Sequence, residues 1–561
     1  MKTNYPRLTI VIVLLGIILL VGAFGTYHIP ARADSVTTSV TVGNSAPSFS
    51  VAPAESPASD TTTPTNVGAN VTIQATGSDS NSENYYLAVC KTNSVTPVNG
   101  NPPTCGGGSW CISTSTASGS QASCAYTALI GDAESNAWYA FVCDGNASAA
   151  ACSSNSQGSG SSGSPFAVNH RPTFNAISND GPKNPGATLT FSTDSSTLDS
   201  DTGGSADTVK LIVCKTTGIT ADDCDGGASD RWCASSLTSS NPSCNFALDN
   251  PLADTSYNAY TYLVDSHNFA ASGANQGANT TFTVNNTTPT VSAVTINGGS
   301  NVTLTEGTTT NVTLTATVTD TNACGDISAV VASLYRTGIG YSACDDNAED
   351  NDNNCYADVS CSVVGAGNTC TGATDASADY TCTAAVQYHA DPTDTGTVYP
   401  TETWKDTLEA TDDDAAVGTG EVSSGVEISS LVGYDVTSSI SYGSLSVGQK
   451  NDPLDKTTTI TATGNVGLDE ELSGTDMTSG GNTIGVAYQK YALAGSTAYA
   501  SGTALSVSGT EAELNCIKTT AHATPATKNT WWGLEIPAGT VSGSYTGTNT
   551  IIAIKGETAN W

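Results

Sequence analysis

The strongest constraint on this chain is a cysteine frame that occurs twice. Y-Y-L-A-V-C-K-T at 85–92 returns as V-K-L-I-V-C-K-T at 209–216, G-S-W-C at 108–111 as D-R-W-C at 230–233, and A-S-C-A-Y at 122–126 as P-S-C-N-F at 242–246. Cys90, Cys105, Cys111 and Cys124 therefore have counterparts in Cys214, Cys224, Cys233 and Cys244. A chain that duplicates its cysteines together with the strand-like runs around them must build one fold twice. Two further cysteines, Cys143 and Cys152, stand in the first copy and are both missing from the second, as bonded partners should be. They predict a disulfide closing a short loop, worth roughly 2 to 3 kcal/mol through the entropy removed from the unfolded chain. The four shared cysteines allow three pairings. First-to-third and second-to-fourth separations (21 and 19, then 19 and 20) vary less between the copies than adjacent ones (15, 6, 13, then 10, 9, 11), which favours an interleaved pairing.

The copies are punctuated alike. N-S-A-P-S-F at 44–49, N-H-R-P-T-F at 169–174 and N-T-T-P-T-V at 286–291 each follow a short β-branched run, and their prolines, Pro47, Pro172 and Pro289, stand 125 and 117 residues apart. That spacing matches one immunoglobulin-like sandwich, and proline tolerates a strand start better than a central ladder. V-T-I-Q-A and T-L-T-F-S alternate with period two, and A-W-Y-A-F-V-C and A-Y-T-Y-L-V are aromatic-rich strand runs. A third unit offers V-S-A-V-T-I, N-V-T-L-T-A-T-V-T-D and I-S-A-V-V-A-S-L-Y, with Cys324, Cys344, Cys355, Cys361, Cys370 and Cys382 suited to three internal bonds. A fourth has T-T-T-I-T-A-T, W-W-G-L-E-I and T-I-I-A-I-K and a lone Cys516. The expected architecture is all-β: antiparallel Ig-like sandwiches in series, over 34–168, 169–287, 288–430 and 431–561, stabilised by disulfides.

Residues 1–33 carry the parts of a secretory signal: Lys2 and Arg7, an apolar run from Leu8 to Phe24, and Ala31-Arg32-Ala33 before Asp34. Cleavage after Ala33 or retention as an N-terminal anchor both place the rest of the chain outside the cytoplasmic membrane. Seventeen cysteines fit an oxidising compartment, and no C-x-x-C pair points to a thiolate metal site. With Asp plus Glu 52 against Lys plus Arg 17, net charge −35, phosphate neutralisation is out of reach and nucleic-acid binding is excluded.

Together with the N-x-x-P-[ST] joints, the phrases T-A-T-V-T-D-T-N-A-C-G-D-I (315–327) and L-E-A-T-D-D-D-A-A-V-G (408–418) resemble the tandem Ig-like or PKD-like proteins of prokaryotic cell surfaces, surface-layer proteins and adhesins among them. The resemblance covers about 40–430 and implies a non-catalytic envelope component that self-associates or meets other envelope proteins or glycans, with an adhesive stalk as the alternative. Non-catalytic modules of a secreted hydrolase are a lesser alternative. No wall-sorting signal or wall-binding repeat accompanies the match.

No catalytic frame is legible: His170, His267, His389 and His522 are scattered and none lies in G-x-S-x-G or H-E-x-x-H. Trp110 and Trp232, each followed by cysteine, read as packing against a disulfide rather than as sugar platforms. The chemical signal is acidic. Asp345, Asp346, Glu349, Asp350 and Asp352 crowd a segment bounded by Cys344 and Cys355, and calcium is the cofactor such a set of oxygens would take. Asp412, Asp413 and Asp414 form a second candidate, and Asp199 with Asp201 a third; the alternative is a solvated turn. Sequons begin at Asn70, Asn146, Asn279, Asn285, Asn286, Asn301 and Asn311. The leading run at 35–44 reads as a strand that pairs within the first unit or adds to the edge of a neighbouring molecule.

Overall fold

The computed structural model describes residues 36–194, 207–239, 241–345 and 351–561. Two compact units can be separated: one from the start of the described chain to Ser56 with Thr72–Tyr126 and Ala137–Ser164, the other from Pro57–Val71, Thr127–Asn136 and Pro165–Trp561.

In the first sandwich, strands Ser48–Glu55, Asn70–Ser78 and Gln121–Thr127 form one sheet, and Tyr139–Asp144, Tyr85–Cys90 and Ser109–Ile112 form another. The alternation of V-T-I-Q-A puts Val71, Ile73 and Ala75 inside. Tyr85 is fully buried, and its hydroxyl donates to the Ser120 carbonyl at 2.6 Å. Gly77 makes room for that ring, because a Cβ there would lie 2.8 Å from the Tyr85 ring edge. The arrangement recurs at the start of the larger unit: Ile177–Asn179, Thr188–Thr193 and Ser243–Ala247 in one sheet, and Arg231–Ala234, Val209–Cys214, Tyr260–Asp265 and Ala278–Asn279 in the other.

The disulfides join adjacent cysteines of the frame, and the interleaved pairing is wrong. The bonds are Cys90–Cys105, Cys111–Cys124 and Cys143–Cys152 in the first copy, and Cys214–Cys224 and Cys233–Cys244 in the second. Side-chain parity is the reason. Cys111 lies opposite Val89 in the ladder, so Cys90 points to the other face of the sheet; Cys233 lies opposite Val213 and excludes Cys214 in the same way. The inner cysteine bridges to the facing sheet, and the outer one ties down a hairpin that covers the outer face.

The third sandwich is one hydrogen-bonded sheet of seven strands, in the order Thr290–Ile296, Thr310–Thr319, Ser377–Val386, Cys355–Val363, Ile327–Arg336, Trp404–Asp412, Val417–Glu421, curled around a single core. Its two edges meet at Gly418 and Gly420, where an added Cβ would fall 1.9 Å from the Pro289 carbonyl oxygen and 2.7 Å from that of Val291. Bonds Cys324–Cys370, Cys344–Cys355 and Cys361–Cys382 staple it. The last sandwich faces a five-stranded sheet (Tyr434–Val436, Lys456–Ala462, Thr527–Leu534, Gln489–Ala492, Thr503–Ala504) with a three-stranded one (Thr510–Cys516, Leu468–Gly474, Asn549–Lys555). The chain is thus an all-β protein of tandem Ig-like antiparallel sandwiches with eight disulfides among the described residues, the mark of an extracellular type of protein.

Of the two readings of the leading run, pairing within the first unit fails. Residues 36–47 join no strand, and Val36, Val40 and Val42 are 83%, 87% and 76% exposed, so the leading run does not pair within the first unit. No helix among the described residues is long and apolar enough to cross a membrane; the Leu8–Phe24 stretch lies outside them.

Candidate functional site

The acidic residues that converge do so at the ends of strands. In the third sandwich, Thr310–Thr319 runs out at Asp320, Ile327–Arg336 begins just after Asp326, and Trp404–Asp412 closes on Asp412. Antiparallel order brings these three ends together, and the carboxylates offer oxygens all within 4.8 Å of one another. Asp412 is held in place: its Oδ1 accepts from the Ala416 amide at 2.7 Å and its Oδ2 from the Asn286 side-chain amide at 3.0 Å. Asp320 Oδ1 accepts from the Asn322 amide at 2.7 Å. Three buried oxygens in this cluster find no donor: Asp320 Oδ2, Asp326 Oδ2 and Asn286 Oδ1.

A second triad, Asp254, Asp413 and Asp414, also keeps its oxygens within 4.8 Å, and Asp413 reaches the Asp326 carboxyl. Asp254 belongs to the second sandwich, so six carboxylates meet at the seam between the second and third. Burial, followed by Asp413 and the other carboxylates nearby, pushes Asp326 up to about 7. Burial raises Asp320 and Asp254 too, helped by like charge from Asp412 on the first and Asp414 on the second. The seam itself is stitched by Asn322, which is 1% exposed. Its Nδ2 donates to the carbonyls of Leu252 (3.1 Å) and Asn285 (3.0 Å), and its Oδ1 accepts from the Thr287 amide (2.8 Å).

The first copy repeats the arrangement with Asp79 after Asn70–Ser78, Glu83 before Tyr85–Cys90 and Asp144 at the end of Tyr139–Asp144, again within 4.8 Å. Asn44, at the joint position that Asn286 holds in the third, donates to Asp144 Oδ2 at 2.7 Å. In the second copy Asn169 donates to Asp265 Oδ2 at 3.0 Å, but His267 Nε2 stands 3.3 Å from Asp207, and Asp194 is exposed. A histidine therefore takes the position from which Asn146 donates to Glu83 in the first copy, at 2.7 Å.

Of the acidic residues singled out from sequence, Asp412, Asp413 and Asp414 reach the seam, Asp412 in one triad and Asp413 with Asp414 in the other. Asp346, Glu349 and Asp350, with Asp199 and Asp201, lie outside the described residues; Asp345 ends the short helix Tyr341–Asp345, and Asp352 is exposed. Trp110 and Trp232 are partly buried; their indole N–H groups donate to backbone carbonyls of Ala137 and Asn258. Trp232 stacks on Phe246 with ring centres 5.0 Å apart.

A third cluster lies where the third and fourth sandwiches meet. Lys518 Nζ donates to Asp391 Oδ1 at 2.8 Å and to Asn353 Oδ1 at 2.7 Å, while Arg336 Nε donates to Asp391 Oδ2 at 3.1 Å and a second guanidinium nitrogen binds Glu402. Burial lowers Lys518 from its ordinary value against the pull of Asp391. Asn353, Asp391 and Lys518, with Asn351, Tyr399 and Trp561, border a cleft of about 320 Å³.

No protein-family model matches the chain. No curated protein matches it in sequence. Among solved structures it is similar to a marsupial T cell receptor (11% identity, TM-score 0.24, 64% of this chain and 98% of that one) and to the full Ig1–Ig3 ectodomain of mouse nectin-like molecule 4 (10%, 0.24, 62% and 96%). It is also similar to Escherichia coli alpha-2-macroglobulin activated by porcine elastase (10%, 0.14, 88% and 52%).

Proposed function

We propose that this chain is an exported, non-catalytic structural component of the cell surface, of surface-layer or envelope type. The observation that carries the reading is that successive sandwiches of the larger unit are fastened by buried hydrogen bonds rather than joined by free linkers. Asn322 crosses one seam, and Asn465, fully buried, crosses the next by donating to Ala390 and Ser429 and accepting from Leu431. Burying a carboxamide with every group satisfied favours one geometry over its neighbours, which suits a part that bears load. The histidines support the non-catalytic side. His170 and His267 pair with Glu134 and Asp207, and His389 is buried beside Tyr388 and driven down to about 4, chiefly by desolvation. The exposed valines of 36–42 would supply an edge strand for a neighbouring copy. Electron microscopy of the purified chain tests this: a lattice or filament that is lost on deleting 34–45 supports assembly, and dispersed monomers at high concentration count against it.

One observation favours adhesion as a second reading. The cleft lined by Asn351, Asn353, Asn354, Tyr399 and Trp561 combines amide groups with aromatic faces, the combination that recognises sugars. Glycan binding that disappears in Trp561→Ala, with the fold intact, would favour the adhesive role.

A further inference from the structure

We infer that the third sandwich holds a hard divalent cation of calcium type between Asp320, Asp326 and Asp412. Proximity of acids is the weaker half of the argument. The stronger half is what the buried oxygens lack. Asp320 is 1% exposed, yet its Oδ2 meets no donor; Asp326 and Asn286 are half-buried, but the Oδ2 of the one and the Oδ1 of the other are likewise covered and meet no donor, and all three are acceptors. Leaving a buried acceptor unmatched costs about 1 to 3 kcal/mol, and more when it is charged. No Lys, Arg or His among the described residues forms an ion pair with Asp320, Asp326 or Asp412. A single cation would satisfy three orphaned acceptors and the charge together. Asn286 is placed for this: its amide nitrogen steadies Asp412 and leaves its oxygen on offer. Carboxylate and amide oxygens gathered from separate strand ends suit the six-to-eight-fold shell of calcium better than the strict octahedron of magnesium.

The first copy repeats the signature independently. Asp79 Oδ2, Glu83 Oε2 and Asn44 Oδ1 are buried without donors, and Asp79 is 5% exposed. The second copy shows the alternative solution, with His267 beside Asp207. The third sandwich and the first copy thus carry the same unmet demand at corresponding strand ends, and among the described residues the second copy, with His267 beside Asp207, shows none. In the third sandwich the ion would do more than fill a hole. Asp320 is bonded to Asn322, and Asn322 to the second sandwich, so the cation would set whether that seam is locked.

Calorimetry and equilibrium dialysis of the full chain, stripped with EGTA and titrated with calcium chloride, test this. Wild type is expected to bind calcium. Asp320→Asn with Asp326→Asn should lower the stoichiometry by one, Asp79→Asn with Glu83→Gln by one more, and Asp207→Asn by none. Failure of the wild type to take up calcium at millimolar concentration, or a stoichiometry untouched by the Asp320 and Asp326 changes, would overturn the assignment; so would equal affinity for magnesium. Should the double variant not fold, amide exchange in the wild type decides. Exchange at Thr287, Asn322 and Ala416 should slow roughly tenfold with calcium at about ten times its Kd, and no slowing refutes the site.

Discussion

At the seam between the third and fourth sandwiches, Lys518 and Arg336 are buried among the carboxylates of Asp391 and Glu402; at the seam between the second and third, six carboxylates gather without a basic partner among the described residues. Both seams use a buried asparagine to cross from one sandwich to the next, Asn465 in the first case and Asn322 in the second. What differs is the source of positive charge. A joint that carries its own cations is set once the chain folds, whereas one that lacks them takes its stiffness from the solution around it.

The largest effect should come from breaking the self-neutralised joint. Lys518→Met leaves Asp391 and Asn353 short of a buried donor, and losing one partner of such a network typically costs about 3 to 5 kcal/mol. Urea unfolding should show that loss equally with calcium and with chelator; dependence on calcium would erase the contrast between the seams. Next comes removal of calcium from the wild type. Binding at about 100 times Kd stabilises by about 2.7 kcal/mol, so chelation should lower the melting temperature and expose the 284–290 segment to protease while the Asp391 joint stays protected.

A third test uses Asp406, a carboxyl inside the third core with neither a lysine nor any other partner, pushed up to about 8 by burial. Its folded value lies above its unfolded one, so the fold is favoured below pH ~4, where both states hold the proton, and is progressively penalised as pH climbs from ~4 to ~8. Asp406→Asn should remove that slope and gain about 2 kcal/mol at pH 7, part of the roughly 1.36 kcal/mol per pH unit available. A pH–stability curve with the same slope in variant and wild type would contradict the assignment. The smallest change is expected for Asp207→Asn, which loses a part-exposed partner of His267, about 0 to 1 kcal/mol, with no change in the response to calcium. A calcium-dependent loss there would mean that the second copy is not the exception it looks.

Much of this was legible in the sequence, and the limits are instructive. Repetition exposed the sandwiches, and the joint absence of Cys143 and Cys152 from one copy pointed to the bond the structure shows. Spacing misjudged the frame cysteines because it ignores which face of a strand a residue occupies; Val89 opposite Cys111 settles what separations could not. The acids were visible only as runs. Asp412, Asp413 and Asp414 stood out because they are consecutive in sequence, while Asp320 and Asp326 sit some ninety residues upstream and meet Asp412 only through antiparallel strand order. The usable signal was an aspartate closing each strand run, as in T-V-T-D and E-A-T-D, next to the asparagine of each N-x-x-P joint. The in-chain pairing of the leading run fails because β propensity describes a segment's preference and does not by itself supply a partner strand.

Cys516, the one thiol left free among the described cysteines, is 1% exposed and pushed up to about 11 by burial, so alkylating reagents should find it inert while its surroundings stay closed. That makes the native chain its own stopwatch: the pace at which iodoacetamide marks this sulfur would time the breathing of the last sandwich, without a label having to be engineered in.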